Sequence, residues 1–169
     1  MTPELDIAGG EVSDLNGKRI IVVEDDFLLA AEICQDLRNL GATVLGPAPT
    51  PFYAMQLIGR RKLDAAVLDV RLHGTDVLTV ADLLQEQGVP IIFATACERD
   101  MLPARFQEQG FVRKPLDRRL LIEAVVAMAR RPRGQKVRAA VWPSAMPARQ
   151  APAQTFARAL ARTIRPSQG

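Results

Sequence analysis

Five short apolar stretches recur between residues 19 and 113, and each is followed by a segment in which apolar positions return at helical spacing. Residues 19–23 (RIIVV), 42–45, 65–68 (AAVL), 90–94 and 111–113 have the brevity and unbroken hydrophobicity of strands buried on both faces. The first helical segment covers residues 27–40, with Ala30, Ile33, Cys34, Leu37 and Leu40 on its inward stripe and Gly41 as its stop. Residues 52–61 predict a second helix with Phe52, Met55 and either Leu57 or Ile58 inward, after a turn forced by Gly46-Pro47 and Pro49-Thr50-Pro51. A third helix is expected over 75–87, closed by Gly88. A short fourth over 98–109 carries Pro103, which starts or kinks it, and a fifth runs over 116–131. On that fifth helix Leu121, Ala124, Val125 and Met128 face the sheet, and Ile122 and Val126 belong either to a broad core stripe or to a dimer or partner surface.

Strictly alternating strands and helices require crossover connections, right-handed by default, and so build a parallel sheet with helices on both sides. The expected fold is α/β: a doubly wound, flavodoxin-like, five-stranded sheet of order 2-1-3-4-5. Function in such sheets lies outside the carboxyl ends of the strands, where strand order reverses. Glu24 and Asp25 follow the first strand, Asp69 the third, Thr95 the fourth and Lys114 the fifth, so all five belong to one crevice. Asp26, next to Asp25, reads as the cap of the first helix.

Charge is divided along the chain. All 19 acids and 13 of the 22 Lys and Arg lie in residues 1–123, a net of −6, and residues 124–169 hold nine bases and no acid. The basic character therefore belongs to the tail. Three units are expected: a flexible lead over 1–17, a folded domain over 18–131, and a Pro-, Ala- and Arg-rich tail over 132–169 with a short helix over 153–165. That helix would carry Phe156, Leu160 and Ile164 on one stripe. The tail has three open readings: a solvated extension, a segment that docks on a protein or on the body, or one that contacts nucleic acid or anionic membrane. No recognisable DNA-binding domain accompanies it. No apolar run is long enough to span a bilayer, and residues 1–17 lack the pattern of a secretory signal, so a cytoplasmic location is expected. Cys34 and Cys97 are read as free thiols, and a single histidine, His73, excludes a His/Cys metal cluster.

Converging carboxylates repel one another unless a cation intervenes, and a hard divalent ion with oxygen ligands, Mg²⁺ or Mn²⁺, resolves the repulsion. Asp69 beside such a metal is a carboxylate nucleophile. Lys114 supplies fixed positive charge and the Thr95 hydroxyl a hydrogen bond, which together suit a phosphoryl group.

These residues carry a resemblance. VVEDD at 22–26, Val67-Leu68-Asp69-Val70-Arg71-Leu72-His73-Gly74, Ala94-Thr95-Ala96 and Phe111-Val112-Arg113-Lys114-Pro115 occur in the order found in receiver domains of two-component response regulators. The resemblance implies Asp69 as phosphoacceptor, and a metal held by Glu24 through water, by Asp25 and Asp69, and by the Arg71 backbone carbonyl. It also implies that Thr95, the Ala96 backbone N–H and Lys114 hold the phosphoryl oxygens, and that Thr95 and Phe111 act as switch residues. A cis bond before Pro115 would aim Lys114 into the site. His73 stands where proline is common, and Arg71 and Cys97 border the mouth of the site, where they would tune dephosphorylation. Phe93-Ala94-Thr95, Leu102-Pro103 and Phe106 are similar to single-domain regulators of alphaproteobacterial stress signalling that carry a FAT signature and a shortened fourth helix. Ala96-Cys97-Glu98 departs from that subgroup's Gly-aromatic-Gly.

The function implied is that of a stand-alone signalling receiver that catalyses only its own phosphorylation and dephosphorylation. Its donor would be a histidine kinase or histidine phosphotransfer protein, and its output a change in binding of an unknown downstream protein, or of a second copy, on the face of the fourth and fifth helices. A phosphate sink for a shared kinase uses the same chemistry. A metal-dependent phosphoryl-transfer enzyme is the reading from another class. Glu24-Asp25-Asp26-Phe27-Leu28 lacks the second Asp of a haloacid dehalogenase phosphatase, Asp69-Val70-Arg71 lacks the Asp-x-Asp of a Toprim site, and no Gly-rich loop follows the first strand.

Overall fold

A computed structural model describes residues 14–72 and 74–132. The expectations for His73, for residues 1–13 and for the tail from 133 onward, including the helix at 153–165, lie outside the described residues. Five strands, β1 (Arg19–Val23), β2 (Thr43–Ala48), β3 (Ala65–Leu68), β4 (Ile91–Thr95) and β5 (Gly110–Arg113), form one sheet. Their order is β2-β1-β3-β4-β5 and every neighbouring pair is parallel, as the alternation of elements required. The connections carry helices α1 (Phe27–Asn39), α2 (Pro51–Ile58), α3 (Leu78–Glu86) and α4 (Arg118–Ala129).

The two-residue period of a strand sorts the sheet's side chains into two cores. Ile21 and Val23 of β1, Ala66 and Leu68 of β3, and Ile91 and Phe93 of β4 pack with α2, α3 and the 98–109 segment. Ile20 and Val22, Ala65 and Val67, and Ile92 and Ala94 pack with α1 and α4. Helix α1 buries Ala30, Ile33, Cys34 and Leu37, the stripe that its spacing predicted. On α4, Leu121, Ala124, Val125 and Met128 are buried, and Ile122 and Val126 lie half-buried against the same core.

Several elements depart from the sequence reading. No α-helix forms over 98–109: two 3-10 turns, Arg99–Met101 and Ala104–Phe106, stand there instead. Pro103 sits between them with extended backbone (ψ 146°), which interrupts any continuous ladder. The third helix begins only at Leu78, because Arg71–Leu72 and Thr75–Asp76 first pair as a small antiparallel ribbon. Strand β2 runs through Gly46 and Pro47, joined by a cis peptide, instead of ending at residue 45. It is an edge strand, where proline's missing N–H is tolerated. Helix α2 faces the core with Ala54 and Ile58, and leaves Phe52 72% and Met55 40% exposed. Pro51 at its first turn and Thr50, whose Oγ1 accepts from the Tyr53 N–H, fix its start and therefore its rotation. The folded body also begins before residue 18: Leu15 is fully buried and its N–H donates to Leu40 O at 3.0 Å.

Candidate functional site

The crevice opens where the chain leaves β1 for one side of the sheet and β3 for the other, the switch point of a doubly wound sheet. Backbone hydrogen bonds hold its walls. The Asp69 N–H donates to Val23 O at 2.9 Å, the Glu24 N–H to Ala48 O at 3.0 Å, and the Lys114 N–H to Thr95 O at 2.8 Å. Each functional side chain therefore leaves a backbone already fixed by its neighbour strand. Beyond the acids, Asp26 caps α1, its Oδ1 accepting from the Leu29 N–H at 3.1 Å.

Glu24, Asp69 and Thr95 are the buried polar residues among those described. Lys114 meets both acids: its Nζ lies 2.8 Å from Glu24 Oε2 and 2.9 Å from Asp69 Oδ2. Glu24 Oε1 also accepts from the Asp26 N–H at 3.1 Å, and Asp69 Oδ1 from the Arg71 N–H at 3.3 Å. Glu24, Asp25 and Asp69 each offer one carboxylate oxygen, and these oxygens lie within 4.8 Å of one another. An all-oxygen acidic set at that spacing fits a hard divalent cation, whose ligands sit about 2.0–2.6 Å away.

Burial pushes the Glu24 carboxyl above its ordinary value, and the nearby charge of Asp69 adds to that rise, against the Lys114 and Asp26 hydrogen bonds that lower it. For Lys114, burial favours the neutral amine, but hydrogen bonds to Asp69 and Glu24 and their charges outweigh it and raise the value. The neighbouring acids thus favour the charged ammonium of Lys114.

The structure thus brings together Glu24, Asp25, Asp69 and Lys114. Thr95 is buried at the end of β4, its Oγ1 accepting from the Cys97 N–H at 3.3 Å, and Ala96 follows it, exposed. Phe111 lies on β5 opposite Phe93, half-buried, with the Arg99 guanidinium 5.1 Å from its ring centre. The Lys114–Pro115 peptide is cis. Arg71 is paired with Asp76 in the ribbon after Asp69. Between that ribbon and the 98–109 segment lies a cavity of about 170 Å³, bordered by Val70, Arg71, Cys97, Met101 and Leu102 among others. Sequence reasoning missed the ribbon and the Arg99 contact. Gly74-Thr75-Asp76 was the available sign of the ribbon, and nothing in the local pattern marked Arg99.

A model of the response regulator receiver domain matches residues 20–126. The phyllosphere-induced regulator PhyR of Methylorubrum extorquens is 32% identical over 111 residues, which cover 64% of this chain and 42% of that protein. The transcriptional regulatory protein PdtaR of Mycobacterium tuberculosis is 26% identical over 112 residues, 64% of this chain and 55% of that one. The chain therefore spans about half the length of the curated relatives it matches. Among solved structures, SdrG from Sphingomonas melonis is similar at 31% identity and a TM-score of 0.57, over 69% of this chain and 98% of that one. The response regulator PhyR from Brucella abortus aligns at 28% identity and a TM-score of 0.57, over 74% of this chain and 52% of that one. With the acidic crevice at the end of its parallel sheet, the chain belongs to the response regulator receiver domain family.

Proposed function

We propose that this chain accepts a phosphoryl group on Asp69 from the phosphohistidine of a histidine kinase or phosphotransfer protein, in a Mg²⁺-dependent reaction in the cytoplasm. The observation that carries the reading is the meeting of Asp69 with Lys114 and with two further carboxylates at one switch point. An Asp69 carboxylate oxygen attacks phosphorus, the P–N bond to the donor imidazole breaks, and the imidazole leaves with the bonding pair and takes up a proton. Glu24, Asp25, Asp69 and the Arg71 carbonyl would hold the Mg²⁺, which supplies neutralisation of phosphoryl charge when bound. Lys114, already anchored on Asp69, holds a phosphoryl oxygen, and the Thr95 hydroxyl and the Ala96 N–H hold the others.

Phosphorylation draws Thr95 toward Asp69 and shifts a two-state equilibrium on the face formed by residues 98–109, β5 and α4. The partner on that face is a protein. One solved relative, PhyR of Bartonella quintana, is described as an anti-anti-sigma factor, and an anti-sigma protein is the partner class which that likeness suggests here.

Intact-mass measurement after incubation with Mg²⁺ and acetyl phosphate tests the reading. One phosphoryl adduct is expected, absent without the metal and absent in Asp69→Ala. An adduct that survives Asp69→Ala, or none in the wild-type chain, overturns it.

A further inference from the structure

Arg99, four residues beyond Thr95, ties together parts of the chain that sequence separates. Its Nη1 donates to Gln107 O at 2.8 Å and to Gln109 O at 3.4 Å, and its guanidinium lies over the ring of Phe111. Gln107 returns the grip, its Nε2 donating to Arg99 O at 2.9 Å and to Leu102 O at 2.6 Å. The two 3-10 turns spanned by these bonds have three residues each and no side-chain cap. Turns that short have little order of their own and depend on tertiary ties. A planar fork that serves carbonyls and an aromatic face at once is available to arginine and not to lysine. The neighbouring Glu98–Arg113 ion pair crosses the same gap, but both side chains are more than half exposed, so it contributes little. At the other end, the Cys97 N–H on Thr95 Oγ1 links the start of the segment to the buried hydroxyl.

We propose that Arg99 is a positioning residue that makes residues 98–109 and Phe111 move as one body when Thr95 shifts toward a modified Asp69. The inference rests on the phosphoreceiver reading and deepens it. Thr95 carries Cys97 through the hydroxyl contact, Arg99 follows two residues later, and its guanidinium delivers the displacement to Phe111 and to the carbonyls that precede β5. Without Arg99, the segment and the ring respond separately.

Amide hydrogen exchange on the full chain tests this, with Mg²⁺, in the absence and presence of beryllofluoride as a stable stand-in for the phosphoryl group. In the wild-type chain, peptides covering 98–109 and 110–113 change protection together. In Arg99→Ala without beryllofluoride, residues 98–109 exchange about tenfold faster, as loss of a cation–aromatic contact and its hydrogen bonds requires. With beryllofluoride, the change in 98–109 falls below half of the wild-type change while Asp69-dependent protection at residues 66–70 persists. Phe111→Leu, which keeps an apolar side chain but removes the π face, reproduces the loss, and Phe111→Tyr retains the coupling. The two Phe111 variants decide the matter should Arg99→Ala fail to fold. Wild-type exchange of 98–109 in Arg99→Ala, an undiminished joint response, or equal behaviour of Phe111→Leu and Phe111→Tyr overturns the proposal. A wild-type chain with no Asp69-dependent response overturns the phosphoreceiver reading instead, and the comparison without beryllofluoride still tests the clasp.

Discussion

Glu24 and Lys114, 90 residues apart in the chain, meet at 2.8 Å inside the crevice, with Glu24 only 3% exposed. Burial holds the Glu24 carboxyl above its ordinary 4.5, so the stability linked to that difference is present below pH 4.5 and lost as pH rises through the folded value. The raised Lys114 value acts at the other end of the scale: its contribution is present below pH 10.5 and lost as pH rises through the folded value. Near neutrality the metal-free chain therefore holds a buried carboxylate against its preference. Glu24→Gln should stabilise the metal-free protein there by about 1 kcal/mol, a gain of the kind seen when a functional site gives up its charge. The gain should vanish in acid, where Glu24 is protonated. Urea unfolding at neutral and acid pH checks this, and a loss of stability at neutral pH would contradict it.

The same carboxylates predict a response to metal. Mg²⁺ should raise the unfolding temperature of the wild-type chain, with stabilisation near 2.7 kcal/mol at about a hundredfold excess over the dissociation constant. Asp25→Asn removes the negative charge from one of the three groups whose oxygens lie within 4.8 Å of one another, and should abolish most of that rise. Melting curves with NaCl at matched ionic strength separate specific binding from screening. Equal rises in wild type and Asp25→Asn would reject the three-acid site.

What the sequence made legible and what it hid differ in range. Strand ends were readable because a buried parallel strand is a local signal: Glu24, Asp69 and Lys114 each follow one directly, and Thr95 is the last residue of another. The inward stripe of α1 was readable because 13 helical residues carry a full period. Helix α2, with eight residues, has too few turns for its apolar positions to choose a face, and its cap at Thr50 decided against Phe52 and Met55. Over 98–109 the apolar Leu102 and Phe106 stand four apart, a spacing a helix would share, and Pro103 fits a helix start as well as a break. Side chains satisfy the segment's backbone instead: the Arg99 guanidinium donates to Gln107 O within it, and from α3, 20 residues away in sequence, the Gln85 amide donates to Arg105 O. No local pattern encodes such distant partners.

That reassignment makes a stability prediction with opposite outcomes for two phenylalanines. Phe106 is fully buried and meets Phe93 edge-on, with ring centres 5.7 Å apart, so Phe106→Ala should cost about 3–5 kcal/mol. Phe52 is 72% exposed on α2, and Phe52→Ser should stay within about 0.5 kcal/mol of wild type. Midpoints of urea unfolding measure both. Comparable losses would return Phe52 to the core.

Gly46 links the edge strand to the acidic site. Its φ of +109° lies where side chains are rarely tolerated, and an added Cβ would stand 2.6 Å from Val22 O and 2.9 Å from Ala48 N. Both neighbours are backbone, so neither yields as a side chain would. The β1–β2 register shifts between Ile21 and Val23, and beyond that shift Ala48 O receives the Glu24 N–H. Gly46→Ala must therefore either strain its own backbone, at about 1–3 kcal/mol, or push β2 away from β1 and loosen the peptide that carries Glu24. Gly17 is the matched control, since its φ is +75° and nothing lies within 4 Å of an added Cβ. Gly17→Ala should lose about 1 kcal/mol and keep the wild-type Mg²⁺ response. Gly46→Ala should lose more than that and bind Mg²⁺ more weakly, because the displaced strand no longer fixes Glu24. Urea unfolding paired with Mg²⁺ titration of both variants separates the two effects, and an unchanged metal response in Gly46→Ala would show that β2 does not set the position of Glu24.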